Sequence, residues 1–396
     1  MPFAGGYFLS YFYRSINAVI APDLTAELGL AAADLGLLTA AYFLAFAAFQ
    51  LPLGILLDRY GPRRVQAGLL MVAACGAFLF SVGTDRPTLI AARALIGLGV
   101  CGGLMSSLQA FVQWFPRQRW PLVNGVFMSF GGFGALTATV PLEWAVQAGG
   151  WRVVFVGMGA LTIAAALCIC LVVPERAAPA PAPAEPGSPA ALDGFGPIFR
   201  DPFFWRLAPV GMMCMASGMA LQGLWAGPWL RDVALLPRGE VAHHLLVLTI
   251  FLTLGFPLCG ALADLLVRRG VALARVYQGV IAAYLAALIV LTLQVGAASY
   301  WPWALFGLVS NGTIFAYPML SQHFPANVSG RANTALNLLV FGMAFVLQYG
   351  VGMVIDLWPP LPSGGYDPVA YRVAIGIIAA LVAAAFLWFS RPPSGR

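Results

Sequence analysis

The chain has 396 residues, 61% of them hydrophobic and only 9% charged, where soluble domains carry about 25% charged residues. Its 21 basic residues, all Arg, outnumber 15 acidic ones for a formal net charge of +6; most flank apolar runs, so the excess reads as membrane topology and lipid contact, with no nucleic-acid partner. There is no Lys and hence no phosphate-cradling P-loop, and no nucleophile, base and acid converge at one depth, so neither an enzyme nor a cofactor is expected.

Apolar runs of about 20 residues, the length that crosses a hydrocarbon core of about 30 Å, recur twelve times: roughly 3–22, 34–57, 65–84, 88–112, 121–146, 151–173, 204–230, 241–263, 273–295, 301–322, 332–355 and 370–390. The expected class is an all-α polytopic membrane protein with twelve transmembrane helices. The first run lacks a basic leader and a small-residue cleavage site, so it reads as a retained span and not a signal peptide. With the N-terminus inside, fourteen Arg fall on the cytoplasmic side and five (Arg86, Arg152, Arg231, Arg238, Arg372) outside, which places both termini in the cytoplasm. The Arg-only, Ala-rich composition suits a bacterial inner membrane. All six Cys lie within spans, with no disulfide framework or metal-ligand spacing.

Span 1 carries Arg14 in its middle. A charge there costs about 2.5–3.5 kcal/mol on insertion scales, and at roughly 16 Å from the span end it is too deep to snorkel with ease. No carboxylate lies at comparable depth in any span. Either the substrate supplies the anion, or Arg14 bonds carbonyls of a bent helix and cavity water. Tyr11 and Tyr7 precede it by one and two turns, and Asn17 continues that face.

Between spans 2 and 3 runs Gly54-Ile55-Leu56-Leu57-Asp58-Arg59-Tyr60-Gly61-Pro62-Arg63-Arg64. Gly54 lets two helices approach, Asp58 at a helix C-terminus needs a partner, and Arg59, Arg63 and Arg64 face anionic lipid or a carboxylate. The pattern resembles the loop 2/3 signature of the major facilitator superfamily, with Pro62 where that family often has another residue; a plain topogenic loop is the alternative. The resemblance implies two parallel six-helix repeats about a central cavity, alternating access and a substrate site near mid-membrane. Asp58 is then a latch toward a basic group such as Arg331 near the start of span 11. Tyr11, Arg14, Pro22 and Leu24 further resemble span 1 of the organophosphate:phosphate antiporters and related organic-anion porters, whose Arg eight residues before the Pro helps bind phosphate. The second Arg of that family is Ala220 here, so a singly charged carboxylate or a zwitterion suits Arg14 better than a phosphate dianion.

In span 4, Arg93-Ala94-Leu95-Ile96-Gly97-Leu98-Gly99 resembles the superfamily motif whose Arg takes part in coupling in proton-driven members; a structural donor to carbonyls of span 1 or 2 is the other reading. Span 5 lacks the Gly-Pro-x-x-Gly-Gly run of drug/proton antiporters. Between Pro174 and Phe203 the apolar pattern breaks into an Ala/Pro stretch, a semi-rigid cytoplasmic linker (174–203) between six-helix bundles 1–173 and 204–396. The halves echo each other. Arg14, Pro22, Gly54 and Asp58 fall 206 residues before Ala220, Pro228, Gly260 and Asp264; Gln113-Trp114-Phe115-Pro116 returns at 209 as Gln322-His323-Phe324-Pro325; Trp151-Arg152-Val153 returns at 220 as Tyr371-Arg372-Val373.

Among neutral polar residues inside spans, Gln222, beside Trp225 in span 7, and Asn311 in span 10 are the cavity candidates. Met215 and Met219 resemble the Met-x-x-x-Met of copper-importing members, but no His-x-x-x-Met follows His243 or His244, and packing accounts for them. Glu143 at the outer end of span 5 and His243-His244 at the outer start of span 8 read as a proton-sensitive gate, or as groups idle in headgroup water. The expected function is secondary transport of a small organic solute, an organic anion or zwitterion such as a carboxylate or amino acid, by a monomer in the bilayer with a proton as the candidate coupling ion. A ligand sensor, a drug exporter and a copper importer are the rivals.

Overall fold

The computed structural model describes residues 2–115, 120–174, 195–361 and 365–391; most of the expected linker, 175–194, lies outside them. Among the described residues the secondary structure is helical, without strands, the solution that satisfies every backbone group internally in lipid. The first half contains α1 (Pro2–Ser15), α2 (Asn17–Leu28), α3 (Ala32–Ala48), α4 (Gln50–Val82), α5 (Arg86–Val100), α6 (Gly103–Trp114), α7 (Trp120–Thr137) and α8 (Val140–Val172). After a short α9 (Gly196–Phe199) the second half contains α10 (Pro202–Ala220), a π turn (Leu221–Trp225), α11 (Ala226–Asp232), α12 (Arg238–Arg268), α13 (Leu273–Thr292), α14 (Trp301–Ser310), a 3-10 turn (Asn311–Phe315), α15 (Ala316–His323), α16 (Ala326–Ile355) and α17 (Pro368–Ser390).

Local chemistry sets the ends. Asp85, Asp201 and Asp367 cap α5, α10 and α17 by accepting the backbone N–H of Thr88 (3.0 Å), Phe204 (2.8 Å) and Val369 (2.8 Å). Pro87, Pro202 and Pro368 follow in the first turn, where a missing N–H costs no helical bond. α4 and α8 are each two helices joined at a glycine, Gly61 (φ 76°, ψ 162°) and Gly150 (φ 79°, ψ 163°). Nothing lies within 4 Å of where a Cβ would stand on either, so it is the backbone conformation, essentially closed to other residues, that requires glycine there.

The helices assemble into twelve spans. α1 with α2 forms span 1; α3 with the first part of α4 forms span 2, and the rest of α4 span 3; α5 with α6 forms span 4; α7 with the start of α8 forms span 5, and the rest of α8 span 6. α10, the π turn and α11 form span 7; α12 and α13 are spans 8 and 9; α14 to α15 form span 10; α16 and α17 are spans 11 and 12. Among the described residues nine stretches, such as Val140–Val172 and Pro368–Ser390, are individually long and apolar enough to cross a membrane, and Ala32–Ala48 and Val126–Thr137 are shorter apolar helices.

Two compact units result, one of Met1–Pro186 with Gly223–Pro228, the other of Gly187–Gln222 with Trp229–Arg396. Within the first, α1 packs on α7, α3 on α5 and α4 on α8; within the second, α10 packs on α16, α12 on α14 and α13 on α17. Spans 1 and 5, 2 and 4, and 3 and 6 of the first half are therefore paired as spans 7 and 11, 8 and 10, and 9 and 12 are in the second. These are two six-helix pseudo-repeats. In the first, two Arg side chains tie spans 3 and 6 at opposite ends: Arg63 donates to the Cys170 carbonyl near the end of α8, and Arg152 to the Gly83 carbonyl just past α4 at 3.0 Å. Each cation meets the negative end of the neighbouring helix.

Candidate functional site

Span 1 is locally irregular at Ile16, two residues after Arg14, while Ile16 itself keeps helical dihedrals (φ −55°, ψ −35°), and span 7 widens into the π turn Leu221–Trp225. Span 4 departs slightly from α-helical regularity at Cys101–Gly102, both still with helical dihedrals, and span 10 tightens into a 3-10 turn at Asn311–Phe315. Each pair of irregularities falls at matching places in the two sequence repeats. π and 3-10 turns inside a helix mark hinges and functional sites more often than regular α-helix does.

Beside the span 1 irregularity the half-buried Arg14 holds its guanidinium carbon 4.8 Å from the Tyr11 ring centre and 5.8 Å from that of Phe46. Tyr42, Tyr11 and Tyr7 are its polar neighbours. The Tyr7 hydroxyl donates to that of Tyr11 at 3.3 Å, and the Tyr7 ring stacks on Phe127 with centres 4.4 Å apart. Gly131 of α7 makes room for both tyrosines: a Cβ there would stand 2.6 Å from the Tyr7 ring and 3.1 Å from the Tyr11 ring. The result is a cation laid on aromatic faces with hydroxyls beside it, a surface that can take a carboxylate or sulfonate on the guanidinium fork.

Arg93 is fully buried, donates through Nη1 to the Tyr13 carbonyl at 2.9 Å, and lies 5.2 Å from the Tyr42 ring centre. The Tyr42 hydroxyl donates to the Ser10 carbonyl at 3.1 Å. Tyr42 thus stands between the two intramembrane Arg side chains and ties span 2 to span 1. Gly97 of the Arg93 motif permits this, because a Cβ there would fall on the Tyr42 carbonyl. Sequence reading missed Tyr42 and Phe46; two aromatic residues one turn apart beside a Gly-x-Gly span are the faint signal.

The remaining candidates are distributed as follows. Asn17, 1% exposed, donates to Thr39 Oγ1 at 2.7 Å across spans 1 and 2. Gln222 lies in the π turn, Trp225 closes it in a buried position, and Asn311 opens the 3-10 turn with its amide donating to the Leu252 carbonyl. The Asp58 side chain is outside the described residues. Arg59 is exposed over the Tyr60 ring at 5.3 Å, and Arg64 lines a groove of about 260 Å³ with Leu56, Tyr60 and Val65. Asp264 pairs with Arg268 one turn on at 2.8 Å, both exposed, and Arg331 is exposed on α16. Glu143, 2% exposed, accepts from Gln147 Nε2 at 2.8 Å. His243 is exposed; His244 is buried, its Nδ1 lies 2.8 Å from the Glu240 carbonyl oxygen, and its ring stacks on Tyr300 with centres 4.0 Å apart.

Twelve spans in two repeats, with the first span of each repeat irregular midway and a cation beside one irregularity, fit a polytopic membrane transporter. The sequence model of the Major Facilitator Superfamily matches residues 3–348, and the chain belongs to that superfamily. It is 31% identical over 158 residues to the probable sulfoacetate transporter SauU of Cupriavidus necator, covering 40% of this chain and 36% of that one. It is 29% identical over 167 residues to the galacturonate transporter of Dickeya chrysanthemi, covering 41% and 47%. The chain thus spans less than half the length of these curated relatives. In fold it matches a bacterial homolog of the human lysosomal transporter Spinster, in an inward-facing and unoccupied conformation, with a TM-score of 0.77 at 17% identity over 98% of this chain and 95% of that one.

Proposed function

We propose that the chain is a secondary transporter that carries a small organic anion through the membrane by alternating access, with Arg14 as the counter-ion. The carrying observation is the Arg14 guanidinium midway along span 1, over Tyr11 and Phe46 and beside the hydroxyl-bearing Tyr7 and Tyr42. A planar acid group accepts two parallel N–H bonds from such a fork, and the tyrosine hydroxyls suit hydroxyl groups on the rest of the ligand. The names of the two relatives, a sulfonated and a hydroxylated carboxylate carrier, support this class. The Arg distribution along the loops supports an inner-membrane setting with both termini cytoplasmic.

Binding to purified protein in detergent tests the reading, with galacturonate and sulfoacetate as probes and galactose as the neutral control. The two acids bind wild type and galactose does not. Arg14→Lys keeps weak binding, and Arg14→Gln loses about 2–3 kcal/mol, some thirtyfold to two-hundredfold in affinity, the worth of a charge-assisted bond. Equal affinity of wild type and Arg14→Gln for the acids contradicts the assignment.

A further inference from the structure

The echo Trp151-Arg152-Val153 and Tyr371-Arg372-Val373 has a structural counterpart that the transport chemistry does not use. In the first unit, Glu27 in the last turn of α2 accepts Trp151 Nε1 at 2.8 Å and Arg152 Nη2 at 2.8 Å. Arg152 in turn donates to the Gly83 carbonyl that ends span 3, and lies over the Trp151 ring at 4.1 Å. In the second unit, Asp232 at the end of α11 accepts the Tyr371 hydroxyl at 2.8 Å, the Tyr366 backbone N–H at 3.0 Å and Arg231 Nε at 2.5 Å. Arg372 donates to Gln294 Oε1 at 3.1 Å, two residues past α13, which is span 9. The role of each repeat position is the same in both units: the aromatic residue holds the carboxylate that ends the first span, and the Arg holds the end of the third.

We infer that Glu27 and Asp232 are positioning residues of a clasp built twice into the fold. Each seats the end of its first span, the last turn of α2 or of α11, on the start of the last span of its repeat. Flexing of span 1 near Ile16, where Arg93 donates to the Tyr13 carbonyl, then moves α1, with Arg14, against a held end of α2; flexing at the π turn moves α10 against a held end of α11. The second clasp is the tighter one. Asp232 has a side chain 3% exposed where that of Glu27 is 46% exposed, and Gly365 lies so close that a Cβ there would stand 2.6 Å from Asp232 Oδ1. A buried carboxylate with three kinds of donor is far more costly to disrupt than a half-exposed pair.

Pulsed dipolar distances between spin labels test this, in a background whose native cysteines are replaced. Labels at the exposed positions Ala26 and Val153 report the first clasp, Leu235 and Val369 the second, and Met71 with Leu167 is a control on spans 3 and 6 away from both. Wild type gives one narrow distance for each pair. Glu27→Gln loses the narrow Ala26–Val153 distance and Asp232→Asn the narrow Leu235–Val369 distance, each leaving the control pair as it was. Asp232→Glu restores the second. Trp151→Phe and Tyr371→Phe, which remove one donor each and leave the charges in place, broaden the same distances to a smaller extent. Unchanged clasp distances in these variants overturn the inference, and so does a control pair that broadens in step with the clasp pairs, because the carboxylates would then act on global stability alone.

Discussion

Arg14 is held by what surrounds it on span 1 and on its neighbours, and its position depends on a glycine in another helix. Adding a methyl group at Gly131 pushes Tyr7, which stacks on Phe127, and Tyr11, which lies under the guanidinium. Gly131→Ala is expected to weaken acid binding by about tenfold, or 1.4 kcal/mol, while thermal stability in detergent changes little; a binding isotherm beside a melting curve separates the two effects, and unaltered affinity contradicts this packing role. Much of this site was legible beforehand, because an Arg in the middle of an apolar run is an anomaly of composition. Tyr42 and Phe46 were not, since aromatic residues in a hydrophobic span look like any other apolar filler until the fold turns them toward a cation. Asp232 was hidden for a related reason: next to Arg231 it reads as a loop charge at the edge of a span, and only its burial against Tyr366 and Tyr371 shows otherwise.

At the scale of elements, helix starts are written plainly in Asp followed by Pro, and one carries a pH dependence. Asp85 accepts both the backbone N–H of Thr88, at 3.0 Å, and its hydroxyl, at 2.8 Å, and these bonds to the ionised form hold its carboxyl below the ordinary value. A carboxyl with a lowered folded pKa contributes stability that is fully present above its unfolded value of about 3.9 and is lost as pH falls through the folded one. The melting temperature of wild type should therefore fall more steeply than that of Asp85→Asn as pH drops from about 6 to about 3. Parallel curves would show that the cap is idle. Helix irregularities were less legible. The irregularity of span 1 lies at Ile16, where no proline or glycine stands, and it is accompanied by Arg93 donating to the Tyr13 carbonyl there. An irregularity accompanied by a partner from span 4 leaves no mark in the local sequence of span 1.

Across the whole molecule, the two halves keep the same helix pairing although few of their residues match. Lipid-facing helices tolerate any apolar side chain, so sequence similarity survives only where a particular group does particular work. The loop after span 2, the Gln-x-Phe-Pro end of spans 4 and 10, and the aromatic-Arg-Val start of spans 6 and 12 are such places, and the last of them coincides with the clasp contacts of Glu27 and Asp232. Span count follows from hydrophobic run length and the repeat organisation from the echoed residues; which polar residues meet follows from neither, because that depends on the rotation of each helix about its axis. The central claim is that this superfamily member moves an organic anion on Arg14. Its most direct test is uptake of a radiolabelled hydroxycarboxylate into proteoliposomes holding wild type or Arg14→Gln. Transport on Arg14 predicts saturable uptake by wild type, competed by unlabelled acids and not by neutral alcohols of the same size, and background uptake by Arg14→Gln protein that melts at the wild-type temperature. Equal uptake by the two proteins, or competition by the neutral alcohols, would contradict it.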